Sequence, residues 1–127
     1  MCIRYRDKVS LVTGASRGIG HATVALLRKN GATVIGCSRG TDTDIQCDVS
    51  HTDDVHRLFD YIQSTYGKLD ILVNNAAIPC YGLALNNMSD PQINESLSVN
   101  LIAPIILAHR LYPILKKAKS SGIIYVG

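Results

Sequence analysis

The stretch Thr13-Gly14-Ala15-Ser16-Arg17-Gly18-Ile19-Gly20 decides the fold. Before it runs Val9-Ser10-Leu11-Val12, a short apolar segment that predicts a buried strand. After it, residues 19–29 predict a helix, and Asn30-Gly31 is typical of a left-handed helix ending. The glycines therefore lie where a first strand turns into a first helix. The apolar residues at helical spacing in that helix are Ile19, Ala22, Ala25 and Leu26.

Each glycine in this G-x-x-x-G-x-G spacing has a physical role beside a bound pyrophosphate. Gly14 permits a tight turn that a Cβ would obstruct. Gly18 lets the backbone approach a phosphate closely, and Gly20 lets the helix pack against the strand. The helix N-terminus then offers free N–H groups and the positive end of its dipole. The alternative is an ordinary strand–turn–helix corner without a ligand.

The octapeptide TGASRGIG resembles the cofactor motif of the short-chain dehydrogenase/reductase family. The resemblance implies an α/β fold of Rossmann type, a doubly wound parallel sheet in the strand order 3-2-1-4-5. The first helix is expected on one face, and the helices after Ser50 and Ser89 on the other. We expect one NADP-binding domain over residues 1–127, incomplete after the fifth strand. The cofactor-binding residues that the motif implies are Thr13, Gly14, Ser16, Arg17, Gly18, Ile19 and Gly20.

Length, charge and cysteine spacing exclude several other classes of protein. At 127 residues the chain has room for one domain, and its formal charge of +3 does not predict a nucleic-acid partner. No apolar run approaches the length of a membrane span, so no membrane association is expected. Four cysteines without C-x-x-C spacing predict no metal site and free thiols in a reducing compartment, with Cys37 and Cys47 buried. We expect the cytoplasm, with the mitochondrial matrix as the alternative.

The end of the second predicted strand, residues 33–37, indicates which dinucleotide binds. In a parallel α/β sheet this end meets the adenosine ribose, and Ser38-Arg39 stands there without an acid. A guanidinium suits a phosphate and cannot accept hydrogen bonds from ribose hydroxyls. Arg17 adds a second cation nearby, so the sequence favours NADP(H) over NAD(H). The alternative is that both arginines are solvated surface residues.

A third predicted strand, residues 45–49, follows a connection too short for a helix. Its Asp48-Val49 pair resembles the family's adenine contact, in which the carboxylate faces the adenine amine. The alternative is that Asp48 only caps the next turn. Ser50 is then expected to cap an amphipathic helix that ends at Gly67. The core face of that helix comprises Val55, Leu58, Phe59, Ile62 and Tyr66.

The fourth predicted strand, residues 69–73, leads into Asn74-Asn75-Ala76-Ala77. This tetrapeptide resembles the family's Asn-Asn-Ala-Gly motif, with alanine in place of the glycine. The family's motif ties neighbouring strands together and lines the cofactor ribose, which implies cofactor contacts for Asn75, Ala76 and Ala77. The next loop, with Pro79, Tyr81 and Gly82, is expected beside the substrate and the nicotinamide.

A long helix is predicted from Ser89-Asp90-Pro91, with proline in its first turn. Further along, Pro104 has no N–H and cannot bond the carbonyl of Asn100, which predicts a kink and a freed carbonyl there. The position resembles the family's catalytic asparagine, whose carbonyl holds a water in the proton relay. A kink without chemistry is the alternative.

The resemblance runs to a fifth predicted strand, residues 123–127. The family completes its active site with a serine, a tyrosine and a lysine that would follow Gly127, so Asn100 is the one catalytic residue implied here. The closest resemblance is to carbonyl reductases and to the 3-oxoacyl-acyl-carrier-protein reductases of fatty acid biosynthesis. We predict that a longer parent uses NADPH to reduce a carbonyl of a small-molecule or acyl-thioester substrate, such as a 3-oxoacyl thioester, a ketone or a quinone. The alternative is a truncated, non-catalytic NADP-binding or subunit-partner module.

The resemblance also bears on assembly. It implies that the parent is a homo-oligomer, a dimer or a tetramer, in which the helix from Ser89 pairs across an interface. The 127-residue chain alone is expected to be inactive and poorly soluble, because strand five has an open edge and the first helix lacks a companion.

Overall fold

The computed structural model describes residues 4–79 and 84–127. The described strands form one parallel sheet in the order β3-β2-β1-β4-β5, as the sequence predicts. Three of the strands are fully or largely buried, whereas β5 is exposed along its whole length. Their bounds are β1 Val9–Thr13, β2 Thr33–Ser38, β3 Ile45–Gln46, β4 Ile71–Asn74 and β5 Gly122–Tyr125.

Four α-helices connect the strands in the described part of the chain. Gly31 and Gly67 follow the first two helices with φ of 92° and 70°, the left-handed endings that the sequence predicts. Ser89 opens the third with a capping box, in which its hydroxyl and the Gln92 side chain bond each other's backbone N–H groups. The bounds are α1 Gly18–Lys29, α2 Thr52–Tyr66, α3 Asp90–Leu97 and α4 Ala103–Leu115, with a 3-10 turn at Leu85–Asn87.

Ser50 does not cap α2, contrary to the prediction. The helix begins at Thr52, and the residue before it makes no side-chain cap. Ser50 instead donates its N–H and its hydroxyl to Asp48 Oδ1, at 2.9 and 2.6 Å. Ser50 therefore lies one residue before the N-cap, His51, and forms a local turn with Asp48.

The third strand is shorter than predicted and ends at Gln46 instead of residue 49. The N–H of Cys47 still donates to the carbonyl of Ser38 at 2.7 Å, but the next N–H, of Asp48, donates to the Asp54 carboxylate at 2.8 Å. A side chain at the start of α2 thus binds the outward-facing N–H directly after the last bond from this segment to β2.

A single carboxylate also anchors the connection between β2 and β3. Asp44 Oδ2 accepts the N–H of Gly36 at 2.7 Å and pairs with the Arg28 guanidinium at 2.7 Å. Arg28 in turn donates to the carbonyl of Val34 at 3.0 Å. The connection is therefore tied both to α1 and to the middle of β2.

The two faces of the sheet carry separate cores. The larger core lies under α2 and α4, and it buries the predicted α2 residues, with Phe59 and Tyr66 partly covered. The smaller core lies under α1, where the predicted apolar face is wrong: Ile19 and Leu26 are 64% and 62% exposed. Gly20 and Val24 are the buried residues of α1, because the helix turns its small side chains toward the sheet.

A π-helical turn, Ser98–Ile102, joins α3 to α4 and replaces the simple kink that Pro104 predicts. Its last bond runs from the N–H of Ala103 to the carbonyl of Ser98, five residues back. By length and composition alone the continuous helix Asp90–Leu115 is long and apolar enough to cross a membrane, a test that a core helix also passes. Here Leu107, Leu111 and Ile114 of this helix are buried against the sheet.

A buried carboxylate joins the two central strands. Asp70 is 2% exposed and accepts the N–H of Val9 at 2.8 Å. The ammonium groups of Lys8 and Lys68 lie 3.3 and 3.0 Å from its oxygens. Burial raises the pKa of the Asp70 carboxyl, but the N–H of Val9 and the two ammonium groups outweigh burial and hold the pKa below its usual value.

We expect Asp70→Asn to lower the free energy of unfolding at pH 7 by about 1–3 kcal/mol, because it leaves two lysines facing a neutral amide. Since the folded-state pKa is lowered, the carboxylate stabilises the fold fully above the unfolded pKa of about 4, and the contribution disappears as pH falls through the folded pKa. Urea unfolding from pH 7 to pH 3 measures both effects.

The matched control is Asp60→Asn, which neutralises an exposed aspartate on α2. It should change the free energy of unfolding by less than about 0.5 kcal/mol. Equal losses for the two variants, or a loss for Asp70→Asn that stays constant with pH, would contradict the assignment.

Candidate functional site

The carboxyl ends of the strands open onto a cleft of about 800 Å³. Its walls come from the glycine turn after β1, the end of β2, the segment after β3 and the segment after β4. Clefts at this edge of an open parallel sheet are where such folds bind ligands. The predicted site residues that line it are Gly14, Ser16, Arg17, Gly18, Ile19, Ser38, Arg39, Asp48, Val49, Asn75, Ala76 and Ala77.

Three predicted site residues do not line the cleft. Thr13 and Gly20 are buried beneath it, and Asn100 lies outside its walls. Tyr81 and Gly82 fall outside the described residues. Several lining residues were not predicted from the sequence, and of these Asp42 and Cys47 carry functional side chains. The full set missed is Gly40, Asp42, Cys47, Ile78 and Val99, and Pro79 was expected only beside the substrate.

The hydroxyl of Thr13 holds two walls of the cleft together. Its Oγ1 accepts the N–H groups of Asn75 and Ala76, both at 3.0 Å. In return, Asn75 Nδ2 donates to the carbonyls of Thr13 and Gly14, at 3.0 and 3.1 Å. Both amide protons of Asn75 are thus used inside the protein, which leaves its Oδ1 as the side-chain atom able to bind a ligand.

The turn after β1 needs glycine for two reasons, its backbone conformation and the lack of space for a side chain. Gly14 and Gly18 have φ of 64° and 57°, where a Cβ is disfavoured. A Cβ on Gly20 would collide with the carbonyl oxygen of Gly14 and lie 2.5 Å from Asn75 Nδ2. Within the described residues, no side chain caps α1 and its first turn holds no acid, so its N-terminal N–H groups suit a phosphate.

Two guanidinium groups and two carboxylates, those of Asp42 and Asp48, share the cleft. Arg17 and Arg39 are exposed, and neither side chain pairs with an acid among residues 4–79 and 84–127. Asp42 lines the same cleft, and its Oδ1 lies 2.8 Å from the position of a Cβ on Gly40. The expectation that this end of the site holds no acid is therefore wrong. The short connection between β2 and β3 is the sequence feature that could have predicted this acid, because it brings Asp42 to the cleft.

Asp48 caps the turn that follows it, which was the alternative to the adenine contact predicted for this residue. Its Oδ1 is engaged by Ser50, although the residue still lines the cleft. The hydrogen bond from the Asp48 N–H lowers the pKa of the neighbouring Asp54 carboxyl. The second carboxylate oxygen of Asp48 remains available to a ligand.

Asn100 clamps the segment that follows β4. Its Oδ1 accepts the N–H of Ile78 at 2.7 Å, and its Nδ2 donates to the carbonyl of Ile78 at 2.9 Å and to the hydroxyl of Ser96 at 3.2 Å. Ile78 itself lines the cleft. The side chain of Asn100 therefore positions a wall of the site from outside.

We expect Gly20→Ala to lower the free energy of unfolding by about 1–3 kcal/mol, because the new methyl displaces the Gly14 carbonyl and the Asn75 amide. Dinucleotide affinity should fall with it, since both groups shape the cleft. Thermal melting and isothermal titration calorimetry measure the two losses.

Gly122→Ala is the control, because a Cβ at that position on β5 meets no atom within 4 Å. It should leave both measurements near the values of the unmodified chain. Tolerance of alanine at position 20 would show that the turn does not need the close approach seen here.

The parallel sheet and the cleft at its carboxyl edge are those of a Rossmann-type domain, and the comparisons identify the family. The short chain dehydrogenase model matches residues 8–127, and the chain belongs to that family. Members of the family are dehydrogenases and reductases that use nicotinamide cofactors.

Individual relatives span several substrates. The chain is 30% identical to farnesol dehydrogenase of Aedes aegypti, covering 95% of this chain and 56% of that protein. It is also 30% identical to the 3-oxoacyl-[acyl-carrier-protein] reductase FabG of Escherichia coli, covering 98% and 56%. A metagenomic short-chain oxidoreductase solved in complex with NADP superposes with a TM-score of 0.88 at 31% identity, covering 95% and 62%. The chain thus spans about half the length of the curated relatives it matches.

Proposed function

We propose that this chain is the cofactor-binding half of an NADP(H)-dependent oxidoreductase that reduces a carbonyl. The observation that carries the proposal is one cleft holding the glycine turn, two unpaired guanidinium groups and the segments after β3 and β4. A 3-oxoacyl thioester or a related ketone or quinone is the proposed substrate class. The similarity to a 3-oxoacyl reductase supports it.

The cofactor fits the groups in the cleft. Free N–H groups at the start of α1 and the glycine turn suit a pyrophosphate. Arg39 and Arg17 suit the extra phosphate of NADP on the adenosine ribose, and Ser38 can donate to it. Asp42 opposes that phosphate by charge, and Asp48 adds a second carboxylate to the cleft, so the preference for NADP(H) depends on the two guanidinium groups outweighing these anions.

The double variant Ser38→Asp/Arg39→Leu should shift the ratio of NADP(H) to NAD(H) affinity toward NAD(H) by about tenfold to a hundredfold. It removes a charge-assisted contact to the phosphate and adds an acceptor for the ribose hydroxyls. Titration calorimetry with each dinucleotide measures the ratio.

Arg6→Leu is the control, since it removes an exposed arginine that does not line the cleft. Asp42→Asn should move the ratio in the opposite direction, toward NADP(H). An unchanged ratio in Ser38→Asp/Arg39→Leu would overturn the assignment of the β2 terminus.

Asn100 is the residue of this chain that we propose for the reaction. Reduced nicotinamide supplies a hydride when the cofactor is bound. The carbonyl of Asn100 has no α-helical donor in Pro104, and we propose that it holds a water of the proton relay. Its side chain fixes Ile78 at the cleft wall, so the same residue positions the site and orients the relay.

Exposed apolar surface supports the proposal that the working protein is larger or oligomeric. Ile123, Ile124 and Tyr125 are exposed on β5, whose outer edge carries unpaired backbone groups among the described residues. Leu101 and Ile105 are also exposed, on the helix for which a homo-oligomer contact is proposed, in a dimer or a tetramer. The buried free thiols of Cys37 and Cys47 suit the reducing cytoplasm or the mitochondrial matrix.

We expect the 127-residue polypeptide to bind NADPH but not to oxidise it with a 3-oxoacyl thioester or a quinone, because it carries only Asn100 of the implied catalytic set. Absorbance of NADPH and its binding by calorimetry separate the two properties. Turnover with either substrate would overturn the proposal that this is a cofactor-binding half.

The second candidate is a non-catalytic NADP-binding module that pairs with complete subunits, and the apolar face of α3 and α4 favours it. The coding sequence downstream of Gly127 discriminates the two. A serine followed by Tyr-x-x-x-Lys supports the enzyme, whereas a stop codon supports the module.

A further inference from the structure

Two buried cysteines lie on neighbouring extended segments, and one of them, Cys47, lines the cleft. Cys37 lies in β2, opposite Ile45 of β3, and Cys47 lies two residues beyond Ile45. Side chains two residues apart on an extended segment point to the same face, and both thiols lie in the larger core. Cys37 is 0% exposed and Cys47 is 2% exposed.

The two thiols differ in acidity. The pKa of Cys47 is lowered despite its burial, and the neighbouring thiol of Cys37 is the main cause. The neighbouring thiol of Cys47, together with burial, raises the pKa of Cys37. Asp54 and Asp48 raise the pKa of Cys47 and Arg57 lowers it, but each acts less than the neighbouring thiol.

The two thiols also differ in access. Cys47 lines the cleft, directly before Asp48 and Val49, whereas Cys37 does not line it. A small reagent that enters the cleft therefore reaches Cys47 first. A thiol that lines a cleft, has a lowered pKa and has a second thiol nearby is the arrangement that oxidants modify selectively.

We propose that Cys47 is an oxidation site for hydroperoxides and closes to a disulfide with Cys37. The Cys47 thiolate attacks one peroxide oxygen, the O–O bond breaks, and hydroxide leaves as sulfenic acid forms. The sulfur of Cys37 then displaces the sulfenic oxygen, which departs as water with the Cys37 proton. The two sulfurs are oxidised by two electrons in total, and the peroxide is reduced.

Disulfide formation must move the segment that follows β3. Positions two residues out of register on neighbouring strands are about 8 Å apart at Cα, from the strand spacing and rise. A disulfide usually joins Cα atoms about 4–7 Å apart. Closure therefore draws Cys47 toward β2 and takes Asp48 and Val49 with it. If this end of the cleft holds the adenosine half, as the proposed function requires, the disulfide weakens dinucleotide binding and bound dinucleotide slows oxidation.

The experiment uses the full chain with Cys2→Ser and Cys80→Ser, so that Cys37 and Cys47 are the remaining thiols. Hydrogen peroxide is added, and intact mass and alkylation by N-ethylmaleimide are followed over time. We expect both thiols to disappear together, with the loss of two hydrogens from the monomer mass and recovery on reduction. In the matched variant with Cys37→Ala, Cys47 should instead gain an oxygen that dimedone traps. Circular dichroism verifies the fold of each variant, and Cys37→Ser replaces Cys37→Ala if the latter is unfolded.

Cofactor binding is measured on the same samples. NADPH should slow the loss of thiols, and the oxidised chain should bind NADPH about tenfold more weakly than the reduced chain. Three outcomes would overturn the oxidation site. Both thiols could stay reactive toward N-ethylmaleimide after peroxide is added, or the disulfide could form between two chains. The third is that Cys37 in a Cys47→Ala variant is oxidised as fast as it is when both cysteines are present. A disulfide that leaves NADPH affinity unchanged would overturn its link to the cleft. A reduced chain that binds neither NADPH nor NADH overturns the proposed function, while the mass measurement still decides the thiol pair.

Discussion

The reciprocal hydrogen bonds between Thr13 and Asn75 are the interaction on which the cleft depends. One hydroxyl accepts two backbone N–H groups from the segment after β4, and one amide returns two bonds to the glycine turn after β1. Thr13 is buried and Asn75 is partly buried, so these bonds would be costly to leave unmade. The turn that faces a phosphate and the segment that faces the ribose are consequently held as one rigid body. Gly20 completes it, because only hydrogen fits beside the Gly14 carbonyl.

Strand order and the main outline of the cleft could be predicted from the sequence because both follow from local chemistry. The G-x-x-x-G-x-G spacing between a buried strand and a helix sets the first turn, and strands that follow in parallel bring their carboxyl ends to the same edge. Residues directly after those ends, such as Arg39 and Asn75, then line the cleft without further assumptions.

The errors arise where a neighbouring side chain sets the local geometry. Ser50 is a good helix cap in isolation, but it lies one residue before the N-cap and donates its hydroxyl to Asp48. The apolar residues of α1 do not by themselves decide which side of the helix packs on the sheet. Packing of Gly20 against Gly14 selects the orientation that leaves Ile19 exposed. Asp42 reaches the cleft only because Asp44 pins its loop to Gly36 and Arg28. None of these choices is visible in the periodicity of the segment concerned.

The π-helical turn between α3 and α4 decides which residues of α4 face the sheet. An α-helix advances about 100° per residue, so the extra residue in the turn rotates α4 by that angle relative to α3. That rotation directs Leu107 and Leu111 into the core while Leu97 and Leu101 stay exposed. Deletion of one residue from Ser98–Ile102 would regularise the helix and yet turn the buried stripe of α4 away from the sheet. The stretch that looks like a defect in the helix is thus an insertion that the core requires, and the length of the polypeptide here is as constrained as its composition.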